Sequence, residues 1–266
     1  MSKKSGSFTL QPVVIEDAAP LAQIGANSFV NDRNTLVKDL GNDPYKLEKV
    51  LQDPLGLYLS IPHKIQCIKA VDNETGERMG YVYWGFRGWA PEDIPTLHGK
   101  GVPKPDSAKP ASTDEKKKEE EEEEKKAIES PAVVEKKEQD PIKRLIALTD
   151  KDMDEWCEKL MPEGCKCMFV VSLSVDPKFH GRGVGSALMR WGTAAADEAG
   201  VYMWVHSSES AHTFYAKEGF EVVGILDVDL DEYALAPPPP EHDTMNGKWG
   251  HYVFRYMKRL PNKRTA

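Results

Sequence analysis

Residues 168–186 read MFVVSLSVDPKFHGRGVGS, and the fold is decided there. The first eight, 168–175, form a nearly continuous apolar run, as expected of a central strand buried on both faces. A glycine-rich turn follows, and residues 184–199 read as a helix. Gly181, Gly183 and Gly185 free the backbone of Cβ atoms where something must approach closely. The first N–H groups of a helix have no internal partners and carry partial positive charge. A diphosphate fits such a terminus by charge and by hydrogen bonding. Arg182 adds a permanent positive charge and Ser186 offers a hydroxyl.

Several loops share this appearance. A P-loop would end in Gly-Lys-Ser or Gly-Lys-Thr, which is absent. A dinucleotide fingerprint needs a third glycine where this chain has Ser186, and an earlier βαβ unit that the chain lacks. A glycine-rich turn with no ligand is the bland alternative.

Working outward, residues 201–206 (VYMWVH) read as the next strand and 208–218 as a helix ended by Gly219. Residues 220–228 and 249–259 read as two last strands, and Pro237 to Pro240 between them must lie outside a sheet. Upstream, residues 8–15 read as a strand. Asp17 is placed to cap a helix that turns Leu21, Ile24 and Phe29 to its apolar side. A further helix is expected over 44–52. Residues 64–72 and 78–86 flank a turn-rich stretch and predict an antiparallel hairpin. Residues 142–160 carry Ile142, Leu145, Ile146, Leu148, Met153, Trp156 and Leu160, a helical pattern.

Residues 90–140 differ in character. They are rich in proline, and Glu115 to Lys126 consists only of Glu and Lys. Such a segment buries too little apolar surface to offset its ordering entropy, though Glu and Lys favour a solvated helix. It reads as a disordered or partly helical insertion dividing one domain into parts 1–89 and 141–266. Its alternative role is that of an interaction segment over 113–138.

The glycine loop and a second motif together resemble the GCN5-related N-acetyltransferase (GNAT) superfamily. That family's Gln/Arg-x-x-Gly-x-Gly/Ala signature stands here as His180-Gly181-Arg182-Gly183-Val184-Gly185. A helix and a strand later come Ser208, Ala211, Phe214-Tyr215 and Gly219-Phe220, in the family's order. The resemblance spans roughly 168–226. It implies an α/β fold with a mixed, twisted central sheet flanked by helices, whose strands 168–175 and 201–206 splay to admit a pantetheine arm. It implies acetyl-CoA as acyl donor and an amine as acceptor, hence an N-acetyltransferase acting by direct attack on the thioester. By resemblance, Leu173, Ser174 and Val175 contact the pantetheine and His180, Gly181, Arg182, Gly183, Val184, Gly185 and Ser186 the diphosphate. Ser208 is a further cofactor contact, and Tyr215 is the acid that protonates the leaving thiolate.

Each residue has a plainer reading. Tyr215 between Phe214 and Phe220 can be a core aromatic, Arg182 a surface arginine and Ser208 a helix cap. His180 departs from the family's Gln or Arg, which makes phosphate binding more sensitive to pH. His206 is either the base for the incoming amine or a structural histidine. The loops at 31–62 and 229–248 are expected to shape the acceptor pocket, with Trp84, Trp89 and Trp249 as walls or core residues.

The bulk composition fits these expectations. With 266 residues and 40% hydrophobic content, one α/β domain plus an insertion is accommodated. A net charge of −8 and a pI of about 5.5 argue against a nucleic-acid partner. Cys165 and Cys167 form a Cys-x-Cys pair without a second cluster, a poor zinc signal, so no metal is expected. No run approaches ~20 apolar residues and MSKKSGSF is no signal peptide, so a soluble protein of the cytoplasm, or of the nucleus, is expected. Two other functions stay open: a non-catalytic acyl-CoA-binding regulator, and an interaction protein acting through the charged insertion.

Overall fold

A computed structural model describes residues 7–41, 45–103, 140–243 and 245–262. The charged run and the rest of 104–139 lie outside the described residues. A seven-stranded sheet forms the centre, in the order β1-β2-β3-β6-β7-β9-β8. These strands are β1 (Phe8–Pro12), β2 (Ile65–Asp72), β3 (Arg78–Arg87), β6 (Cys167–Val175), β7 (Tyr202–Ser207), β8 (Glu221–Asp229) and β9 (His251–Arg259). Two-residue strands β4 (Pro95–Thr96) and β5 (Gly99–Lys100) pair in a separate small ladder. That ladder lies in the part of 90–140 that is described, where Ile94 is fully buried.

Every pairing in the large sheet is antiparallel except β6 with β7. A parallel pair needs a long crossover, and Val184–Ala199 supplies it as a helix. The β6–β7 ladder is short. It joins Cys167, Met168 and Phe169 to Tyr202, Met203 and Trp204 and then stops. Beyond it, β6 stays paired to β3 as far as Val175, and β7 stays paired to β9 as far as Ser207. The strands therefore part, as the family resemblance implied. Val171 is an extra residue on β6 where the register shifts from Tyr83↔Ser172 to Trp84↔Val170. A bulge of this kind bends its strand and increases twist.

The helices are α1 (Ala18–Ser28), α2 (Arg33–Lys38), α3 (Leu47–Gln52), α4 (Leu55–Ser60), α5 (Pro141–Leu160), α6 (Val184–Ala199) and α7 (His212–Lys217). Helix α6 covers one sheet face. There Leu188, Met189 and Ala196 meet Trp84, Met168 and Met203, all fully buried. Gly192 lets α6 approach, since a Cβ there would stand 2.2 Å from the Trp84 ring. The other face is covered by α1 and α5. On it Leu21 and Ile24 pack with Tyr81 and Tyr83, and Ile142 and Leu145 with Val228, Tyr252 and Phe254. Each such side chain contributes about 1.5–3 kcal/mol by leaving water. Helix α5 begins where Asp140 accepts from the Ile142 N–H at 2.9 Å, with Pro141 in the first turn. Among the described residues no helix is long and apolar enough to cross a membrane.

One side-chain expectation is corrected by the structure. Asp17 stands before α1 but does not cap it with its side chain. Its carboxylate turns inward, fully buried, to Lys69 at 2.5 Å, Arg78 at 2.6 Å and the Val14 N–H at 2.9 Å. A cap bond is worth about 1 kcal/mol, whereas Lys69, only 8% exposed, cannot be left without a counter-charge. Trp84 and Trp249 are core residues, 0% and 2% exposed, the second of the two readings the sequence left open.

Burial pushes the Asp17 carboxyl up, but Lys69, the Val14 N–H and Arg78 outweigh it and hold the group below its ordinary 3.8. A depressed carboxylate stabilises the fold above pH 3.8 and loses that contribution as pH falls through its folded value. Asp17→Ala is expected to lower unfolding free energy by about 3–5 kcal/mol at pH 7 in urea titration. The gap to the unsubstituted protein should narrow on acidification below pH 3.8.

Candidate active site

The glycine loop forms at the open end of β6. Asp176 leaves the strand with its N–H on the Met79 carbonyl at 2.9 Å, and its side chain accepts from the Lys178 N–H at 3.0 Å. A single 3-10 turn, Pro177–Phe179, follows and buries Phe179. Gly181 and Gly183 then take φ of 76° and 80°, a left-handed conformation that other residues adopt at a cost. Gly183 is the N-cap of α6, and the Ala187 N–H makes the bond to its carbonyl at 3.0 Å. The N–H groups of Val184, Gly185 and Ser186, in the first turn, have no helical acceptor.

These groups face a cleft of about 610 Å³. Its walls bring together Leu173, Ser174 and Val175 from β6, His180, Gly181, Gly183, Val184, Gly185 and Ser186 from the loop, and Ser208 after β7. Ser208 is not a cap: α7 starts after Ala211, with no side-chain cap bond. The expected phosphate loop and the parted strands thus share one cavity.

Three residues stand differently from what the resemblance implies. His180 keeps a ring nitrogen, Nε2, 2.9 Å from the Val175 carbonyl. A carbonyl only accepts, so Nε2 carries the proton and this donor is used within the loop. Arg182 does not line the cleft; its guanidinium lies 3.0 Å from Asp72 and 5.2 Å over the Phe179 ring. Tyr215 is 4% exposed and packs edge-on to Phe214 and Phe220, outside the cleft lining. Burial pushes its phenol up, so it is protonated at neutral pH.

The cleft also contains residues that the motifs did not flag as contacts. Ser28 and Phe29, from the end of α1, close it opposite the glycine loop. Ser28 Oγ lies 3.1 Å from the Val175 carbonyl and ties α1 to the end of β6. Nothing local in the sequence signals this, because the partners are 147 residues apart. Phe179, Ala211 and Phe214 add apolar wall. Phe29 also lines a second groove of about 930 Å³ between α1, α2 and α3, whose charged lining is Asp39, Lys46, Glu48, Lys49 and Asp53.

His206 lies just past the last β6–β7 pair. Its ring stacks between Phe254 and Tyr256, with centroids 5.1 Å and 4.7 Å away. Burial lowers it to about 4; Lys38 works in the same direction and Asp152 against it. It is therefore neutral at pH 7 and a weak proton acceptor. Its Nε2 is buried and has no hydrogen-bond partner.

Residues 144–222 match the family model described as "Acetyltransferase (GNAT) domain". It is through this stretch that the chain resembles GNAT acetyltransferases. Its match includes β6, the glycine loop, α6, β7 and α7. Among solved structures, the chain is similar to arylalkylamine N-acetyltransferase 2 from Aedes aegypti, with 14% identity over 96% of this chain and all of that one and a TM-score of 0.54. It is similar also to Drosophila melanogaster polyamine N-acetyltransferase, again with 14% identity over 96% and 100% of the two chains, at a TM-score of 0.50. These similarities show a shared GNAT-like fold. No curated protein matches the sequence.

Two outcomes are expected. Gly183→Val places a β-branched residue at a φ of 80° and should lower stability by about 1–3 kcal/mol in chemical denaturation. His206 should titrate near pH 4 by proton-detected NMR rather than near its ordinary 6.5. A depressed histidine stabilises above 6.5 and loses that contribution as pH falls through about 4.

Proposed function

We propose that this GNAT domain transfers the acetyl group of acetyl-CoA to a primary amine of a small molecule. The family match and the fold support an N-acetyltransferase. The observation that carries the donor assignment is the single cleft in which a helix N-terminus and two parted strands meet. The residues present fit the donor. The first turn of α6 offers unsatisfied N–H groups to a diphosphate, and Gly181, Gly183 and Gly185 hold no side chain in the way. The gap between β6 and β7 gives a pantetheine arm a path along Leu173, Ser174 and Val175.

The amine approaches neutral and its nitrogen bonds to the thioester carbonyl carbon. Negative charge gathers on the carbonyl oxygen, where a fixed N–H on the open edge of β6 stabilises it. The carbon–sulfur bond then breaks, the amine nitrogen loses a proton to solvent or a base, and the thiolate takes one up. Tyr215, protonated at neutral pH, is proposed as the acid for that last step, the role the family resemblance gives it. The groove between α1, α2 and α3 is proposed as the acceptor's approach, since Phe29 joins it to the donor cleft. The two similar enzymes are named for arylalkylamine and polyamine acceptors, which agrees with an amine here.

One observation favours a second reading, a non-catalytic acyl-CoA-binding protein: Tyr215 does not line the cleft. Two measurements separate the readings. Excess acetyl-CoA at ~100 times its Kd should add about 2.7 kcal/mol and raise Tm by about 5 °C or more. Tyr215→Phe should then reduce kcat on an accepted amine by about 100-fold with little change in acetyl-CoA binding. Binding without turnover on a broad amine panel would leave the second reading in place, and no thermal shift would remove both.

A further inference from the structure

The glycine loop must hold two left-handed glycines, Gly181 and Gly183, to aim its N–H groups, and no side chain caps the helix at Gly183. Glycine has more backbone freedom to lose than any other residue. Beyond its own local bonds, the loop is restrained from outside, by the β2–β3 hairpin. Three contacts join them. The Asp176 N–H meets the Met79 carbonyl at 2.9 Å, Lys178 Nζ meets Glu77 at 3.1 Å, and Arg182 Nη2 meets Asp72 at 3.0 Å.

The two ion pairs are unequal. Lys178 and Glu77 are each about half exposed, at 53% and 51%, so water and salt screen them. Arg182 and Asp72 are 24% and 6% exposed. The Asp72 carboxylate is also fixed before it meets the arginine, because its other oxygen accepts from the Glu74 N–H at 2.9 Å and the Thr75 N–H at 3.2 Å. Arg182 is held on its other side by the Phe179 ring, and Phe179 is itself buried in the core and lines the cleft. The guanidinium thus lies between a rigid turn and the floor of the site.

We propose that Asp72 is a positioning residue for the acetyl-CoA diphosphate: paired with Arg182, it holds the glycine loop in its binding conformation, and Arg182 serves the ligand through this pair rather than by touching phosphate. This rests on the acetyl-CoA reading above. Asp72 stands 110 residues before its partner, in a hairpin that carries no family motif. The pair also removes a conflict. An unpaired carboxylate behind the loop would repel a diphosphate, whereas the paired one leaves the α6 terminus as the dominant local field. If the loop without its strap spends a tenth of its time in the competent form, apparent affinity falls about tenfold.

Calorimetric titration of acetyl-CoA into the full chain tests this, using Asp72→Asn, Arg182→Ala, the double variant and Arg182→Lys. An asparagine in place of Asp72 keeps an oxygen for the turn's N–H groups and removes only the charge. Each of the first two should raise Kd about tenfold, and the double should be no worse than the larger single change. Arg182→Lys should recover affinity when Asp72 is present and not when it is replaced by asparagine. Amide exchange at 181–186 should accelerate in the Asp72→Asn protein while that of β9 stays unchanged, which a general loss of stability would not produce. A direct phosphate contact predicts the reverse for Asp72→Asn: unchanged or tighter binding with Arg182 released. Equal binding by the unsubstituted and Asp72→Asn proteins, or additive losses in the double variant, overturns the strap. Failure of the unsubstituted protein to bind acetyl-CoA overturns instead the reading on which it rests.

Discussion

Two half-sheets meet at one end only, and the rest of the site follows from that. The block β1-β2-β3-β6 is joined by antiparallel ladders, as is the block β7-β9-β8. Three parallel residue pairs between Cys167 and Phe169 on β6 and Tyr202 and Trp204 on β7 hold the blocks together. Each strand at the seam is committed to its own block along its length, so neither can bend back to close the gap. The bulge at Val171 turns β6 further. An open strand edge inside a protein would ordinarily leave polar groups without partners. Here that edge borders a cavity able to receive a polar ligand.

Helix α6 completes the arrangement because it is both the crossover between the blocks and a wall of the cleft. Its approach to the sheet depends on Gly192 beneath Trp84. That contact sets where the helix N-terminus emerges relative to the gap. At the far side Ser28 joins α1 to the Val175 carbonyl, so the α1 wall is tied to the same strand end as the loop. The backbone N–H groups, the parted strands and the α1 wall then form one cavity whose dimensions are fixed by packing at its base.

The opposite sheet face has a different character. Tyr252, Phe254, His206, Tyr256 and Trp156 make a continuous aromatic column. The Tyr252 hydroxyl donates to Asp32 at 2.6 Å and that of Tyr256 to Asp152 at 2.7 Å. Arg33, the first residue of α2, joins that helix to Glu209, immediately after Ser208. Directional bonds thereby join α2 and α5 to β9 and to the segment after β7.

The strands, α5, α6 and the glycine loop were legible in the sequence because their determinants are local. Apolar periodicity and glycines at fixed spacing act within a few residues. Ten cleft residues, from Leu173 to Ser208, could be assigned by motif for the same reason: the backbone geometry of a strand–loop–helix is set by the residues that form it. What the chain does with its long charged side chains was not legible. Asp17 has the position of a cap and is the centre of a buried ion cluster. Arg182 has the position of a phosphate ligand and instead faces Asp72. Ser28 and Phe29 carry no local signal at all. A charged or hydroxyl side chain is satisfied by whichever partner the fold brings within about 3 Å, and those partners lie 52 to 147 residues away in sequence. Local sequence determined the loop that can receive a diphosphate; only tertiary structure decided which side chains hold it in place, because hydrogen bonds and ion pairs depend on distance in space and not on spacing in the chain.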